Sequence, residues 1–347
     1  MKKKVYHGPI NIGGIGGYIS QYLRLRGYIS DFIVWSDFTM RNNHDYNLHI
    51  ERYNFFKKIY IIIKNFFKVL IKYNILHFYA GKTLLPYGLD LPFLKLFRRK
   101  IIMTYCGSES RLINYIEINR NPYAHLLKFG LNNPKYDFKK KIMIKWQSLW
   151  CDKILAPRDI YKNAIYAANK NKVLEKPWIH NLGFNIDNLA SEVKTNKIPN
   201  IIHAPSNKDI KGTKYIEDAI NNLKKKGYNF KYERIEKLSN NVAQKKIKNA
   251  DIIVDQLLIG SFGTLAVEGM GYGKPVICYL LKDIKEDFFS DCPIYVANID
   301  NIEQKLETLV INKYLRIELG QKGVEFVKKY FDNKKILKEM EKIYEEL

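Results

Sequence analysis

Residues 260–276 read GSFGTLAVEGMGYGKPV, and this stretch decides the fold. The apolar run 251–254 before it and the run 275–279 after it each have the length of a buried strand. Between them lie a glycine loop and a short helix with one glutamate, Glu268. Together these parts predict a strand–helix–strand unit of parallel strands.

The start of the predicted helix is a candidate anion site, because the first amides of a helix lack intrahelical partners and carry partial positive charge. Glu268 follows about one turn later and can accept hydrogen bonds from neutral hydroxyls. An anion site beside a hydroxyl acceptor suits a nucleotide-sugar. A solvent-facing glutamate is the alternative. Glycine inside a helix costs about 1 kcal/mol relative to alanine, so the flanking glycines favour close approach of a ligand or of other backbone.

Strand-like and helical runs alternate along the rest of the chain. This alternation predicts an α/β protein of two doubly wound, Rossmann-like domains that face a cleft. The predicted strands are 4–6, 31–35, 75–79, 100–105, 153–155, 200–204, 231–233, 251–254, 275–279 and 294–297.

The polar stretch 185–199 is the best domain boundary. We therefore expect an acceptor- and membrane-facing domain over 1–190 and a donor domain over 191–330. Residues 331–347 form a predicted amphipathic helix that crosses back to the first domain.

The charge of the chain is concentrated in its first half. Net charge is +23 over 347 residues, and residues 1–200 hold 33 Lys and Arg against 13 Asp and Glu. A lysine-rich codon bias would act on both halves alike. The asymmetry therefore favours an anionic partner such as lipid, nucleic acid or a phosphorylated ligand.

Other features limit the class of protein. The four cysteines form no Cys-x-x-Cys pair, so neither a zinc site nor a disulfide framework is expected. The sequence shows no signal peptide and no apolar run of bilayer length. We expect a cytoplasmic protein that lies peripherally on the inner face of the membrane.

Residues 52–73 form the most distinctive predicted helix of the first half. Its lysines Lys57, Lys64, Lys68 and Lys72 share one face, and a wide apolar arc covers the rest. This pattern fits an interfacial helix on anionic lipid. It fits equally a helix packed on the sheet with its lysines in water.

Two loops of the first half are candidate binding sites. Gly14 and Gly16 lie in a glycine turn after the first strand, which suits a phosphate or acceptor, or else only tight packing. A dinucleotide site with Asp37 on the ribose is a weaker match, because residue 19 is not glycine or alanine. Glu109 and Arg111 follow a strand and would grip a sugar or acceptor, or else form a cap or salt bridge.

The loop after the predicted strand 200–204 carries the candidates Ser206, Asn207, Lys208 and Lys211. Ligands of parallel sheets bind at the carboxyl ends of strands, where two lysines could clamp a diphosphate and stabilise its charge. Two solvated loop lysines are the alternative. Thr213 is a candidate helix cap.

These motifs resemble those of GT-B glycosyltransferases, specifically the retaining, family-four-like group. The second-half motifs carry the resemblance: HAPSNKDIKGT at 203–213, DIIVDQLLIGSFG at 251–263, AVEGM at 266–270 and GKPV at 273–276. Weaker similarities lie at 11–14, 23–27 and 104–111. The resemblance departs at Gly260, where the family often carries a glutamate eight residues before the second one.

The resemblance implies that Lys208 and Lys211 meet a diphosphate and that Glu268 meets the ribose. It places the amides of Phe262, Gly263 and Thr264, with Gly260 and Ser261, near the diphosphate or sugar. It implies catalysis with no metal and no cofactor, because lysines and helix amides replace the cation.

The expected function is transfer of a sugar from a UDP- or GDP-sugar to a saccharide acceptor with retention. The acceptor is expected to be lipid-linked, for surface polysaccharide or glycolipid synthesis, at an anionic membrane. A nucleotide-sugar epimerase and a non-catalytic nucleotide-sugar-binding homologue remain alternatives. A nucleic-acid partner is not expected, because no recognised binding motif accompanies the charge.

Overall fold

The computed structural model describes residues 3–36, 43–175, 182–288 and 290–347. The chain divides into two compact units. The first unit contains 1–116, 134–183 and 334–347. The second contains 117–133 and 184–333. Each unit is an α/β domain built on a parallel sheet.

The strands of the first unit are β1 (Lys4–Gly8), β2 (Ile29–Val34), β3 (Tyr46–Asn47), β4 (Ile75–Tyr79), β5 (Lys100–Thr104), β6 (Lys153–Ala156) and β7 (Val173–Glu175). The strands of the second unit are β8 (Asn200–His203), β9 (Lys231–Arg234), β10 (Ile252–Val254), β11 (Val276–Cys278) and β12 (Tyr295–Val296). The first sheet has the order β3-β2-β1-β4-β5-β6-β7, and the second β12-β11-β10-β8-β9. All paired strands are parallel.

The α-helices, in chain order, are α1 (Ile15–Leu25), α2 (Phe55–Lys72), α3 (Leu91–Leu96), α4 (Asp137–Trp150), α5 (Arg158–Ala167), α6 (Lys208–Lys211), α7 (Thr213–Lys225), α8 (Asn240–Lys248), α9 (Thr264–Gly271), α10 (Lys282–Phe288), α11 (Ile302–Ile311), α12 (Lys313–Tyr330) and α13 (Asn333–Glu345). Among these described helices, none is both long enough and apolar enough to cross a membrane.

Helices cover both faces of the first sheet. Buried side chains of α2, α3, α4 and α5 pack with one face in a single apolar cluster. Side chains of α1 and α13 pack with the other face, where Ile336, Met340 and Ile343 of α13 are buried. The amphipathic pattern of the C-terminal segment thus corresponds to a helix docked on the first sheet.

Residues 117–133 belong to the second unit, whereas the predicted boundary near 190 left them in the first domain. Hydrogen bonds explain this placement. The side-chain amide of Asn121 donates to the Leu258 carbonyl over 2.7 Å, and Arg120 pairs with Asp283 at 3.0 Å. The segment contains three short 3-10 turns rather than a periodic helix, so no periodic pattern in its sequence indicates this docking.

His203 joins the end of β8 to the start of α7. Its Nδ1 lies 2.9 Å from the Val254 carbonyl, and its Nε2 lies 2.9 Å from the Thr213 hydroxyl. The Thr213 hydroxyl therefore bonds the imidazole, while Gly212 occupies the N-cap position predicted for Thr213. The ring is fully buried, and desolvation lowers the pKa of His203 to about 4.

This depressed pKa predicts a loss of stability in acid. The unfolded chain protonates His203 near pH 6.5, while the folded chain resists protonation down to about pH 4. The stabilisation is therefore complete above pH 6.5 and falls as the pH drops toward 4. Between pH 7 and pH 5 the loss from this residue is about 2 kcal/mol.

The variant His203→Gln tests this contribution, because glutamine keeps a donor and an acceptor but does not titrate. Urea unfolding at pH 7 and pH 5 measures the free energy of unfolding of both proteins. We expect the wild type to lose about 2 kcal/mol more than the variant over this range. Equal losses would show that His203 is not the group that titrates.

Candidate functional site

The loop after β8 and the start of α9 form the candidate site of the second unit. Asn207 caps α6, because its side-chain oxygen accepts from the Ile210 amide over 3.0 Å. The single turn of α6 then ends at Gly212, which has a left-handed conformation. This short helix carries both predicted lysines, Lys208 and Lys211, three residues apart.

Asp255 connects the parts of this site. It is the residue after β10 and is fully buried. Its Oδ1 lies 2.7 Å from the Nζ of Lys211, and its Oδ2 accepts from the Gly263 amide over 2.7 Å. β8 and β10 are neighbouring parallel strands. The Asp255 carboxylate therefore holds the lysine of the loop after β8 against the loop after β10.

The Lys211 ammonium therefore lies at the N-terminus of α9. A Cβ built on Gly263 would lie 3.3 Å from the Lys211 Nζ. Gly263 is the N-cap of α9 and has no side chain to offer the first amides of the helix. The Asp255 carboxylate offsets the charge of this ammonium. What the arrangement offers an anion is therefore hydrogen-bond donors: the N–H groups of Lys211 that Asp255 does not take and the first amides of α9.

The loop before α9 is only partly shielded from solvent. Ser261, Phe262, Gly263 and Thr264 are half-buried. The carbonyl of Ser261 accepts a hydrogen bond from the Gln256 side chain, and this bond holds the loop in place. The structure thus brings together Lys211 and the predicted loop residues.

Glu268 lies in the second turn of α9 and is only 5% exposed. A solvent-facing helix glutamate, the alternative left open by the sequence, does not describe this residue. The glycines beside it have packing roles. A Cβ on Gly269 would lie 3.0 Å from Ile253, and a Cβ on Gly271 would lie 2.3 Å from Phe184, so both allow close approach to neighbouring side chains.

Lys208 differs from Lys211 in its surroundings. Its side chain is half exposed, and its Nζ lies 3.2 Å from Glu236. It borders a cavity of about 650 Å³ within the second unit. The lining combines cationic, acidic and aromatic side chains, among them His125, Lys128, Phe129, Thr213, Lys214, Tyr215 and Glu217.

Gly14 and Gly16 have structural roles in the first unit. Gly14 is the N-cap of α1, and its amide donates to the Asn11 side chain over 2.8 Å. A Cβ on Gly16 would lie 2.7 Å from the Phe32 ring, so α1 can pack on β2 only with glycine there. This contact favours the packing alternative for Gly16. Asp37, the acid of the dinucleotide alternative, lies outside the described residues.

Glu109 and Arg111 are both engaged by the chain itself. Glu109 accepts from the amides of Cys106 at 2.5 Å and Gly107 at 3.1 Å, and desolvation raises the pKa of Glu109. Arg111 is buried and pairs with Asp159 at 2.6 Å. These bonds favour the capping and salt-bridge alternatives that the sequence left open.

No role for Asp255 was evident from the sequence, whereas in the structure its carboxylate joins the Lys211 ammonium to the Gly263 amide. Its position directly after a fully apolar strand, Ile252–Val254, was the available signal. An acid at the carboxyl end of a buried parallel strand needs buried partners, but the sequence did not show which cation supplies one.

Residue 260 has no room for a side chain. Its φ is +80°, in the left-handed region, and a Cβ there would lie 2.4 Å from the Cγ of Leu281. The Leu281 amide also donates to the Gly260 carbonyl over 2.8 Å. The absence of a glutamate at this position is therefore built into the packing of the loop, and no side chain from residue 260 can reach a ligand without displacing Leu281.

This packing predicts that Gly260→Ala destabilises the protein more than a matched glycine variant. Gly227 is the control, because its φ is +85° and a Cβ there would meet open space. Gly227→Ala carries only the backbone strain, about 1 kcal/mol. Gly260→Ala adds an overpacking cost of about 1–3 kcal/mol.

Urea unfolding of both glycine variants, of Leu281→Ala and of Gly260→Ala/Leu281→Ala measures these terms. The Leu281→Ala change should cost less in the Gly260→Ala background than in the wild type, because it relieves the clash. Equal stability of the two glycine variants would contradict the proposed contact.

Comparisons with known proteins give the chain its structural class. No protein-family model matches the chain. An uncharacterized glycosyltransferase of Methanocaldococcus jannaschii is 37% identical over 89 residues, which is 25% of this chain and 25% of the relative. The match thus spans about a quarter of the length of that curated relative.

Solved structures match over nearly the whole length of both chains. Sucrose-phosphate synthase of Thermosynechococcus elongatus has a TM-score of 0.71 at 12% identity, covering 99% of each chain. A glycosyltransferase of Rickettsia africae has a TM-score of 0.65 at 15% identity, covering 99% of this chain and 98% of its own. HepE of Anabaena, solved with UDP-glucose, has a TM-score of 0.67 at 10% identity, covering 100% of each chain. The chain therefore has the two-domain fold of the GT-B glycosyltransferases, as the sequence resemblance predicted.

Proposed function

We propose that the protein is a glycosyltransferase that moves a sugar from a nucleotide-sugar to a saccharide acceptor. The observation that carries the proposal is the position of the Lys211 ammonium at the N-terminus of α9, held there by Asp255. The fold and the glycosyltransferase of M. jannaschii that matches part of the chain support the same activity.

The chemistry of sugar transfer fits this arrangement. When the bond between the anomeric carbon and the diphosphate breaks, negative charge builds up on the departing phosphate oxygen. An ammonium group has three N–H donors, and Asp255 takes one of them. We infer that Lys211 directs its remaining donors to the diphosphate, together with the amides of Thr264 and Leu265. Fixed donors of this kind lower the barrier because they need no reorganisation as the charge develops.

Two further residues complete the proposed donor site. Lys208, on the same helical turn, is exposed enough to reach a phosphate by leaving its surface pair with Glu236. Such surface ion pairs contribute at most about 1 kcal/mol, so the exchange is cheap. We assign Glu268 to the ribose hydroxyls, since a buried carboxylate can accept two hydrogen bonds from a diol.

The donor base, acceptor and location are also proposals. UDP-sugars are the first donors to test, because HepE of Anabaena was solved with UDP and with UDP-glucose, and GDP-sugars are the next. The acceptor is a lipid-linked saccharide, and the enzyme works peripherally on the inner face of an anionic membrane. The strongly positive charge of residues 1–200 supports this location.

A thermal-shift panel of UDP-, GDP-, ADP- and CDP-sugars tests the donor site. A donor at about 100 times its Kd stabilises the folded protein by about 2.7 kcal/mol, so one base should raise the melting temperature. Glu268→Ala and Lys208→Ala/Lys211→Ala should each abolish this shift. Each variant is compared with its own unliganded melting temperature, because Lys211→Ala leaves Asp255 without its cation.

Lys224→Ala/Lys225→Ala is the matched control, because both lysines are exposed on α7 and belong to the same unit. It should keep the wild-type shift. Retention of the shift by both site variants would refute the assignment. With the donor identified, product analysis separates transfer from hydrolysis and epimerisation, and NMR of the product should show a retained anomeric configuration.

A further inference from the structure

The outward surfaces of α2, α3 and α4 share an unusual composition. All three helices lie on the same face of the first sheet, where their buried side chains join one apolar cluster. Their other sides also carry large apolar groups that are exposed. Phe56 of α2 is 81% exposed, Leu96 of α3 is 76% exposed and Phe138 of α4 is 67% exposed.

These three are part of a larger set. The exposed large apolar side chains of α2, of residues 87–97 and of α4, here called the basic apolar face, are Phe55, Phe56, Ile59, Tyr60, Ile63, Phe67, Ile71, Tyr87, Leu89, Phe93, Leu96, Phe97, Phe138, Ile142 and Leu149. Scattered exposed apolar residues are normal in soluble proteins. A concentration on neighbouring helices marks an interaction surface.

Direct contacts show that the three helices are neighbours. The Arg99 side chain, after α3, donates to the Leu70 carbonyl of α2 over 2.9 Å. The Trp146 indole of α4 donates to the Gly88 carbonyl before α3 over 3.1 Å. The Lys139 ammonium of α4 lies 5.1 Å from the centre of the Tyr87 ring. The basic apolar face therefore extends across all three helices.

The charge of this face has a single sign. Residues 55–72, 91–100 and 138–150 contain thirteen lysines and arginines and no aspartate or glutamate. Four of these lysines pair with aspartates: Lys72 with Asp31, Lys95 and Lys100 with Asp152, and Lys140 with Asp137, the first residue of α4. The others add positive charge between the exposed apolar groups.

This combination selects among possible partners. A second copy of the chain would bring like charges together, which disfavours self-association. Nucleic acid would satisfy the lysines and stack on rings, but it offers nothing to isoleucine and leucine side chains. An anionic bilayer satisfies both, because its phosphates attract the lysines and its acyl region accepts the apolar side chains.

We propose that the basic apolar face is a membrane-binding surface, on which α2, α3 and α4 lie against anionic phospholipid. Phe56 and Leu96 enter the boundary between headgroups and acyl chains, while Lys64 and Lys68 contact lipid phosphates. This extends the membrane location within the proposed function. Vesicle binding requires no donor, so this proposal and sugar transfer can fail separately.

Co-sedimentation of the full chain with vesicles tests the proposal. Vesicles of phosphatidylcholine with about one-third phosphatidylglycerol should bind at least about tenfold more strongly than vesicles of phosphatidylcholine alone. Added salt should weaken the binding, because it screens the lysines. Phe56→Ser/Leu96→Ser and Lys64→Glu/Lys68→Glu should each reduce the affinity about tenfold or more.

Matched variants on the second unit control for general effects. Ile311→Ser/Tyr314→Ser removes apolar groups of similar exposure, and Lys224→Glu/Lys225→Glu reverses two exposed charges. Both controls should bind vesicles like the wild type. The proposal fails if the wild type does not bind the anionic vesicles, or if the control variants lose as much affinity as the variants of the face. It also fails if light scattering shows a wild-type dimer that Phe56→Ser/Leu96→Ser converts to monomer.

Discussion

The buried carboxylate of Asp255 is the constraint on which the candidate site of the second unit depends. It lies at the end of β10, in a position without solvent, and a charge there is tolerated only with partners. The Lys211 ammonium and the Gly263 amide supply them. In turn, this one side chain fixes the loop after β8 and the N-terminus of α9 against each other. Removal of either partner would leave a buried group unsatisfied, so the site and the local fold are stabilised by the same bonds.

The two units divide the proposed work according to their charge and packing. In residues 201–347, 25 Lys and Arg are nearly balanced by 22 Asp and Glu, and Lys211 is held by a buried acid. In the first unit, positive charge is spread over exposed helices among apolar side chains. A fixed cation suits the repeated binding of one small anion. A broad field of lysines suits a fluid surface of many weak anionic sites.

Much of the fold could be predicted from the sequence, because buried parallel strands are continuous apolar runs. The run 75–79 was predicted with the bounds of β4, and the others lie within two residues of the observed strands. β3 and β7 were missed because strands of two and three residues are too short to show a pattern. The docking of 117–133 depends on side-chain hydrogen bonds such as that of Asn121, which leave no periodic pattern.

The candidate site was predictable in part. The GT-B resemblance predicted roles for Lys211 and Glu268 from their motifs, and these roles stay predictions. The structure places Lys211 at the start of α9 and buries Glu268 in that helix. The role of Asp255 was not accessible, because a carboxylate's partners depend on which loops a sheet brings together. The contact by which Leu281 excludes a side chain at residue 260 could not be predicted for the same reason, since the two residues are brought together only by the fold.

The affinity of Asp255→Asn for a nucleoside diphosphate tests the central claim most directly. UDP is the first probe, and the diphosphate of the best donor in the thermal-shift panel replaces it if another base is preferred. If Asp255 acts by holding Lys211 in place, calorimetric titration should show weaker binding of the diphosphate to the variant, although a negative charge has been removed. If Asp255 is only a nearby negative charge, its removal should strengthen binding. Equal or tighter binding by Asp255→Asn would contradict the account.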